Sequence, residues 1–233
     1  MVKNELIQRS PVRILEKAMH GSLKPGEMGV VAGPSGLGKT SVLVQIALDK
    51  LFQDKKVIHI SFTPNADFVL DWYSIVFNEL INKKNVENAG ALKEQLAANR
   101  ILMNFSQTGV DSDVIRKSLH SMIVEGGYKA ETIIIDGFDF STPSYERIKS
   151  FKDFIQERGI SAWYSCAVTE TARPGEKTIH PYIKDLEEIF DCIVDIDSKA
   201  GHLELSVVKS RKETENAGRP VKLDPKTLLL LDS

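Results

Sequence analysis

A glycine-rich stretch near the start of the chain has residue types and a spacing that could hold the phosphates of a nucleotide. It matches the P-loop (Walker A) pattern G-x-x-x-x-G-K-[ST] and reads Gly33-Pro34-Ser35-Gly36-Leu37-Gly38-Lys39-Thr40. Glycines let successive backbone N–H groups approach phosphate oxygens, which bulky side chains would prevent. The pattern predicts that Lys39 reaches the β- and γ-phosphates and that the Thr40 hydroxyl binds Mg²⁺. The alternative is an ordinary glycine-rich turn.

The elements on either side of this glycine loop (residues 33–40) are those that phosphate binding requires. An apolar run, Met28–Ala32, precedes it and a helical pattern, Ser41–Phe52, follows it. The helix would start near Lys39 and direct the positive end of its dipole at the anion. Its residues are apolar nearly all round, which predicts that it packs against a sheet and holds the loop rigidly. Ser41 completes the predicted nucleotide-binding set, residues 33–41.

A second element could bind the metal ion. The run Thr132-Ile133-Ile134-Ile135-Asp136 is an apolar strand that ends in a carboxylate. Proteins with a phosphate-binding loop place an aspartate in this way to hold Mg²⁺. Asp136 is therefore predicted to support the same Mg²⁺ as Thr40. The alternative is an aspartate that caps a turn with Gly137.

Along the chain, apolar runs alternate with helical patterns, which indicates an α/β protein with βα units around a mainly parallel sheet. After Met28–Ala32, the predicted strands are Lys56–Phe62, Ile101–Phe105, Thr132–Asp136, Ile160–Val168, Cys192–Ile196, Leu203–Lys209 and Leu228–Leu231. Besides Ser41–Phe52, the predicted helices are two within Ala66–Arg100, then Asp111–Val124 and Pro143–Arg158.

Composition limits the class of protein. The 233 residues suffice for one large α/β core, and 42% hydrophobic with 27% charged residues is ordinary for a globular protein. The net charge of −2 does not indicate nucleic acid, although a local basic groove is not excluded. No apolar run is long enough to cross a membrane and no secretory signal is visible, so we expect a cytoplasmic protein without a membrane partner. Cys166 and Cys192 lie in apolar stretches and are expected to be buried thiols.

The sequence around these motifs resembles RecA-like ATPases, especially the KaiC, RadA and DnaB branch. The resemblance rests on Leu23-Lys24-Pro25-Gly26-Glu27, the glycine loop and Ser41-Val42-Leu43-Val44-Gln45-Ile46-Ala47. Further on, Thr169-Glu170 is similar to the Thr/Ser-Glu of KaiC-type domains, and Lys209-Ser210-Arg211 is similar to their Lys-x-Arg. On this basis, residues 1–22 are a helical N-terminal segment and residues 23–233 a RecA-like ATP-binding domain.

The resemblance implies a RecA-like P-loop NTPase fold, with a twisted, mainly parallel central sheet flanked by helices. It also implies a homo-oligomer that binds ATP between neighbouring subunits. Lys209 and Arg211 would then reach the neighbour's γ-phosphate and stabilise the charge that develops there. Glu170 is a further candidate catalytic acid. Lys39 in the loop is also a candidate catalytic residue. The alternative for Lys209 and Arg211 is a solvated surface loop of mixed charge.

The chain departs from the family where the attacking water would be oriented. The family has a glutamate just after the strand that follows the loop helix, whereas this chain reads Phe62-Thr63-Pro64-Asn65-Ala66-Asp67. Thr63 and Asn65 can hydrogen-bond a water but have no useful basicity, and Asp67 is expected to start the next helix. The sequence thus predicts Mg²⁺–ATP binding and leaves hydrolysis open.

Three functions are compatible with these motifs. The first is an ATPase that couples hydrolysis to rearrangement in an oligomer. The second is a nucleotide-binding regulatory module without catalysis. The third is a nucleotide or small-molecule kinase, because Gly-Pro-Ser-Gly-x-Gly-Lys also occurs in guanylate-kinase-like loops. A kinase needs an arginine-bearing lid, and the late loops offer only Arg173, Arg211 and Arg219.

Overall fold

A computed structural model describes most of the chain, and its sheet carries the glycine loop at one edge. The described residues are 2–8, 10–63, 65–82, 89–105, 112–141, 145–168, 180–199, 202–210, 220–224 and 226–231. Within them, the strands are β1 (Met28–Pro34), β2 (Lys56–Ser61), β3 (Arg100–Asn104), β4 (Ala130–Phe138), β5 (Ser161–Val168), β6 (Cys192–Lys199), β7 (His202–Lys209), β8 (Val221–Leu223) and β9 (Leu230–Leu231).

These strands form one sheet in the order β3-β2-β4-β5-β1-β6-β7-β8-β9. The pairs from β3 to β6 are parallel, and β7, β8 and β9 pair antiparallel with their neighbours. The predicted α/β fold with a mainly parallel sheet is therefore confirmed. Strand β8 was not predicted, because its three residues are too few for a period of two to be recognised.

The described helices flank the sheet and agree with the predicted ones in most places. They are α1 (Val2–Gln8), α2 (Val12–Ala18), α3 (Lys39–Phe52), α4 (Ala66–Asn82), α5 (Ala89–Ala98), α6 (Ser112–His120), α7 (Tyr145–Arg158) and α8 (Pro181–Lys184). The predicted helix Asp111–Val124 is described from Ser112 and continues beyond α6 as a π-helical turn, Ser121–Glu125. Its first residue, and Pro143 of the helix Pro143–Arg158, lie outside the described residues.

Apolar side chains fill both faces of the sheet, because neighbouring residues of a strand point to opposite faces. On one face, Val57 and Ile134 pack with residues of α1 to α5. On the other, Ile58 and Ile135 pack with residues of α6, α7 and α8. By the same alternation, Asp136 belongs to the α3 face.

The two N-terminal helices belong to the same apolar cluster as α3. Leu6, Val12, Leu15 and Met19 are buried in one cluster with residues of α3. Cys166 and Cys192 are free and buried. In the part of the chain that the structure describes, no helix combines the length and the apolar character that crossing a membrane would require.

Candidate functional site

The glycine loop connects β1 to α3 through backbone conformations that favour glycine. Gly36 has φ 83°, and Gly38, the residue before α3, has φ 90°. A Cβ built on Gly36 would have no heavy atom within 4 Å, so the turn faces open space. No side-chain hydrogen bond of the described residues caps α3. The first N–H groups of the helix are therefore available to an anion.

Gly33 lacks a side chain for another reason. A Cβ at this position would stand 2.4 Å from the carbonyl oxygen of Ile196 and 2.4 Å from its Cγ2. β6, which contains Ile196, is the parallel neighbour of β1. The first glycine of the pattern thus allows two strands to pack closely, whereas Gly36 leaves room for a ligand.

Lys39 folds back on its own loop. Its Nζ donates hydrogen bonds to the carbonyl oxygens of Gly33, at 2.8 Å, and of Pro34, at 2.7 Å. The residue is only 8% exposed. Burial lowers the pKa of Lys39, and the charge of Asp136 partly offsets this effect. A cation is therefore held inside the loop and is already largely desolvated.

Thr40 and Asp136 meet directly, although 96 positions separate them in the sequence. The Thr40 hydroxyl donates to Asp136 Oδ2 at 2.8 Å, and the Ser165 hydroxyl donates to Asp136 Oδ1 at 2.6 Å. Asp136 is 3% exposed. Burial raises the pKa of Asp136, while the hydrogen bonds from Ser165 and Thr40 and the charge of Lys39 act in the opposite direction.

The strand order explains why Ser165 takes part. β5 lies between β1 and β4, and all three strands are parallel, so their carboxyl ends meet at one edge of the sheet. Ligands of α/β sheets bind outside this edge. Ser165 was not predicted, because its only local signal is a hydroxyl within the apolar run Ile160–Val168.

The polar residues after β2 are engaged in a local turn. The Ser61 hydroxyl lies 2.9 Å from that of Thr63, which donates to the backbone oxygen of Asn65 at 3.0 Å. The side-chain oxygen of Asn65 accepts a hydrogen bond from the N–H of Asp67 at 2.9 Å and so caps α4. Asp67 lies in the first turn of that helix. The first carboxylate that follows β2 is therefore that of Asp67, which belongs to helix α4.

A turn near the C-terminus contacts the other side of the loop. Leu228 accepts hydrogen bonds on its carbonyl oxygen from the Ser41 hydroxyl, at 3.1 Å, and from Gln45 Nε2, at 2.9 Å. Its Cδ1 would lie 3.3 Å from a Cβ on Gly38. Ser41 was predicted to bind the nucleotide, and its hydroxyl is hydrogen-bonded to this turn. Leu228 itself gave no sequence signal for a role at the site.

Lys209 does not join the glycine loop of its own chain. It is paired with Ile193, near the start of β6, whereas the loop follows the end of β1. Its Nζ donates to the backbone oxygen of Glu187 at 2.7 Å. The predicted site residues Glu170 and Arg211 lie outside the described residues.

A scan against protein-family models gives no match to this chain, and a search of curated proteins gives none either. The function is therefore inferred from the residues and their arrangement.

Proposed function

We propose that this chain binds Mg²⁺–ATP at residues 33–41. The observation that carries the proposal is the 2.8 Å contact between the Thr40 hydroxyl and the buried carboxylate of Asp136. It brings two predicted metal-binding residues together beside an uncapped helix N-terminus. Oxygen ligands of this kind suit Mg²⁺, which usually keeps several waters and also binds the substrate phosphates.

The loop fits a chain of phosphates. The open space at Gly36 and the first N–H groups of α3 would receive phosphate oxygens. Lys39 would exchange the carbonyl oxygens of Gly33 and Pro34 for β- and γ-phosphate oxygens. Because Lys39 is already buried, this exchange costs little further desolvation.

The contacts on the two sides of the loop suggest how ATP would lie. Asp136 contacts Thr40 from the side of β4, and Leu228 contacts Gly38 and Ser41. We infer that the γ-phosphate and Mg²⁺ lie toward Asp136 and the nucleoside toward Leu228.

Hydrolysis by the isolated chain is expected to be slow or absent. Thr63 and Asn65 are occupied by the turn after β2 and are not bases. The RecA-like resemblance implies that neighbouring subunits complete the site. Lys209 lies near the amino end of β6, away from the carboxyl ends of the strands that carry the loop. It could therefore act only on the ATP of another subunit. Binding with regulated turnover in an oligomer is therefore the proposed form of the activity.

The binding proposal is tested by titrating the protein with ATP, once with Mg²⁺ and once without it. We expect Lys39→Ala to weaken ATP at least about tenfold, since a charge-assisted contact to the phosphates is lost. Asp136→Asn should remove most of the Mg²⁺ dependence. Lys149→Ala, on the exposed part of α7, is the control and should bind ATP like the wild type. Equal ATP affinity in wild type and Lys39→Ala would refute the site.

Turnover is measured separately, across protein concentration and with Lys209→Ala. A rate per subunit that rises with concentration and falls in Lys209→Ala supports catalysis between subunits. No turnover at any concentration would leave a nucleotide-binding module without ATPase activity.

A further inference from the structure

A cavity of about 200 Å³ lies on the face of the sheet away from α3, beneath α6 and α7. Its interior is apolar and largely aromatic. The walls come from the ends of three strands and from both helices and include Ile60, Phe62, Ile115, Ile135, Phe138 and Tyr164. None of these residues belongs to the proposed ATP site.

The cavity has a polar mouth. Arg116, Glu146, Arg147 and Ser150 also line it and are exposed residues of α6 and α7. A small molecule could therefore enter between the two helices. An apolar pocket with a few polar groups is the usual form of a small-molecule site.

Tyr164 lines the cavity and carries a hydroxyl group. The residue is 3% exposed, and its ring lies 5.7 Å from that of Phe138 and 5.9 Å from that of Phe151, measured between centroids. Among the described residues, its hydroxyl has no hydrogen-bond partner. Burial raises the pKa of Tyr164, so the hydroxyl stays neutral and can donate. The hydroxyl can therefore hydrogen-bond a molecule that occupies the cavity.

We propose that this cavity binds a small aromatic molecule with one hydrogen-bonding substituent, of the size of phenol. An apolar protein cavity of about 150 Å³ accepts benzene, so the present volume has room for a ring and one further group. The ring would pack against Phe138 and Phe62, which meet edge to face with their centroids 5.9 Å apart. The substituent would hydrogen-bond the hydroxyl of Tyr164.

The test is calorimetric titration of the full chain, without ATP, with phenol and with benzene. We expect saturable binding of phenol with a Kd at or below about 1 mM. Tyr164→Phe should weaken phenol about fivefold and leave benzene within about twofold, because one hydrogen bond is lost. No saturable binding of phenol, or equal weakening of phenol and benzene, would overturn the proposal.

Two further variants locate the ligand. Ile115→Trp fills the cavity from α6 and should abolish binding of both molecules. Its neighbour Val114 is 48% exposed and does not line the cavity, so Val114→Trp is the matched control and should bind normally. Should Ile115→Trp fail to fold by circular dichroism, Ser150→Trp fills the mouth instead. Normal binding in the filled variant would refute this location.

Discussion

At the scale of single residues, two glycines of one loop lack a side chain for different physical reasons. At Gly33 there is no room for a side chain, because an added Cβ would stand 2.4 Å from the carbonyl oxygen of Ile196. Gly36 has open space around it but a φ of 83°. The sequence pattern requires both glycines and does not distinguish them. Their substitutions should therefore separate stability from ligand binding.

We expect Gly33→Ala to destabilise the fold by about 3 kcal/mol or more, because a backbone contact cannot relax. Gly36→Ala should cost only about 1 kcal/mol, for the strained φ, yet weaken ATP by filling its space. Urea denaturation and ATP titration measure the two effects. Similar unfolding free energies in both variants would contradict this division.

A second residue-scale prediction concerns pH. Asp195, in β6 and paired with Ala32 of β1, is partly buried. Burial and then the charge of Asp197 raise the pKa of Asp195 from 3.8 to about 6. A raised carboxyl pKa means that the folded state holds the proton more tightly than the unfolded state. Its contribution to stability is therefore present below about pH 4 and lost as pH rises through about 6.

Asp195→Asn removes this effect. From pH 4 to pH 7, we expect the variant to gain about 1 kcal/mol relative to the wild type, after allowance for solvent screening. In a domain of this size, this corresponds to about 2–4 °C in Tm. Thermal unfolding of both proteins at the two pH values measures the change. A difference in Tm that does not depend on pH would disprove the assignment.

At the scale of elements, Gln45 of α3 hydrogen-bonds both the turn at Leu228 and strand β9. Gln45 is 2% exposed, donates to the carbonyl oxygen of Leu228 at 2.9 Å, and accepts from the N–H of Leu230 at 2.9 Å. β9, with two residues, is too short to be stable by strand pairing alone. The position of Leu228 beside the glycine loop thus depends on the side-chain amide of Gln45 in α3.

We expect Gln45→Leu to cost about 1–3 kcal/mol, because a buried N–H of Leu230 loses its partner. Hydrogen exchange at Leu230 should accelerate more than exchange at residues of β4. Gln95→Leu, at an exposed position of α5, is the control and should change stability by less than about 0.5 kcal/mol. If both variants were equally stable, Gln45 would not hold the strand.

At the scale of the whole molecule, an ion pair joins the N-terminal helices to the helix that follows the glycine loop. Arg13 of α2 is paired with Asp49 of α3, whose side chain is fully buried, and with Glu16. Asp49 also accepts a hydrogen bond from Gln53 at 2.7 Å. Helix α2 is therefore bound to α3 by charge as well as by apolar packing.

We expect Arg13→Met to destabilise the protein by about 3 kcal/mol, because it leaves a buried carboxylate without its cation. Adding Asp49→Leu should restore at least half of the loss. Lys149→Met breaks the exposed pair with Asp153 and should cost less than about 0.5 kcal/mol. Chemical denaturation of the three variants decides the point. A loss in Arg13→Met no larger than in Lys149→Met would show that the buried pair is unimportant.

Local spacing in the sequence was enough to predict the glycine loop, the strand that ends at Asp136 and the alternation of strands and helices. These features are local because each depends on residues that are neighbours in the sequence. This is true of the N–H groups of a turn and of the side-chain periods of strands and helices. The α/β class with a mainly parallel sheet follows from them and is confirmed. The ATP site built on the same residues remains a prediction.

The tertiary structure alone decided which distant residues complete these elements. It placed Ser165 on Asp136 because β5 lies between β1 and β4. It also placed Leu228 against the loop and kept Lys209 at the far edge of the sheet. The cavity at Tyr164 likewise joins strands and helices that are far apart in the chain. Such contacts depend on strand order and packing, which no local pattern of residues encodes.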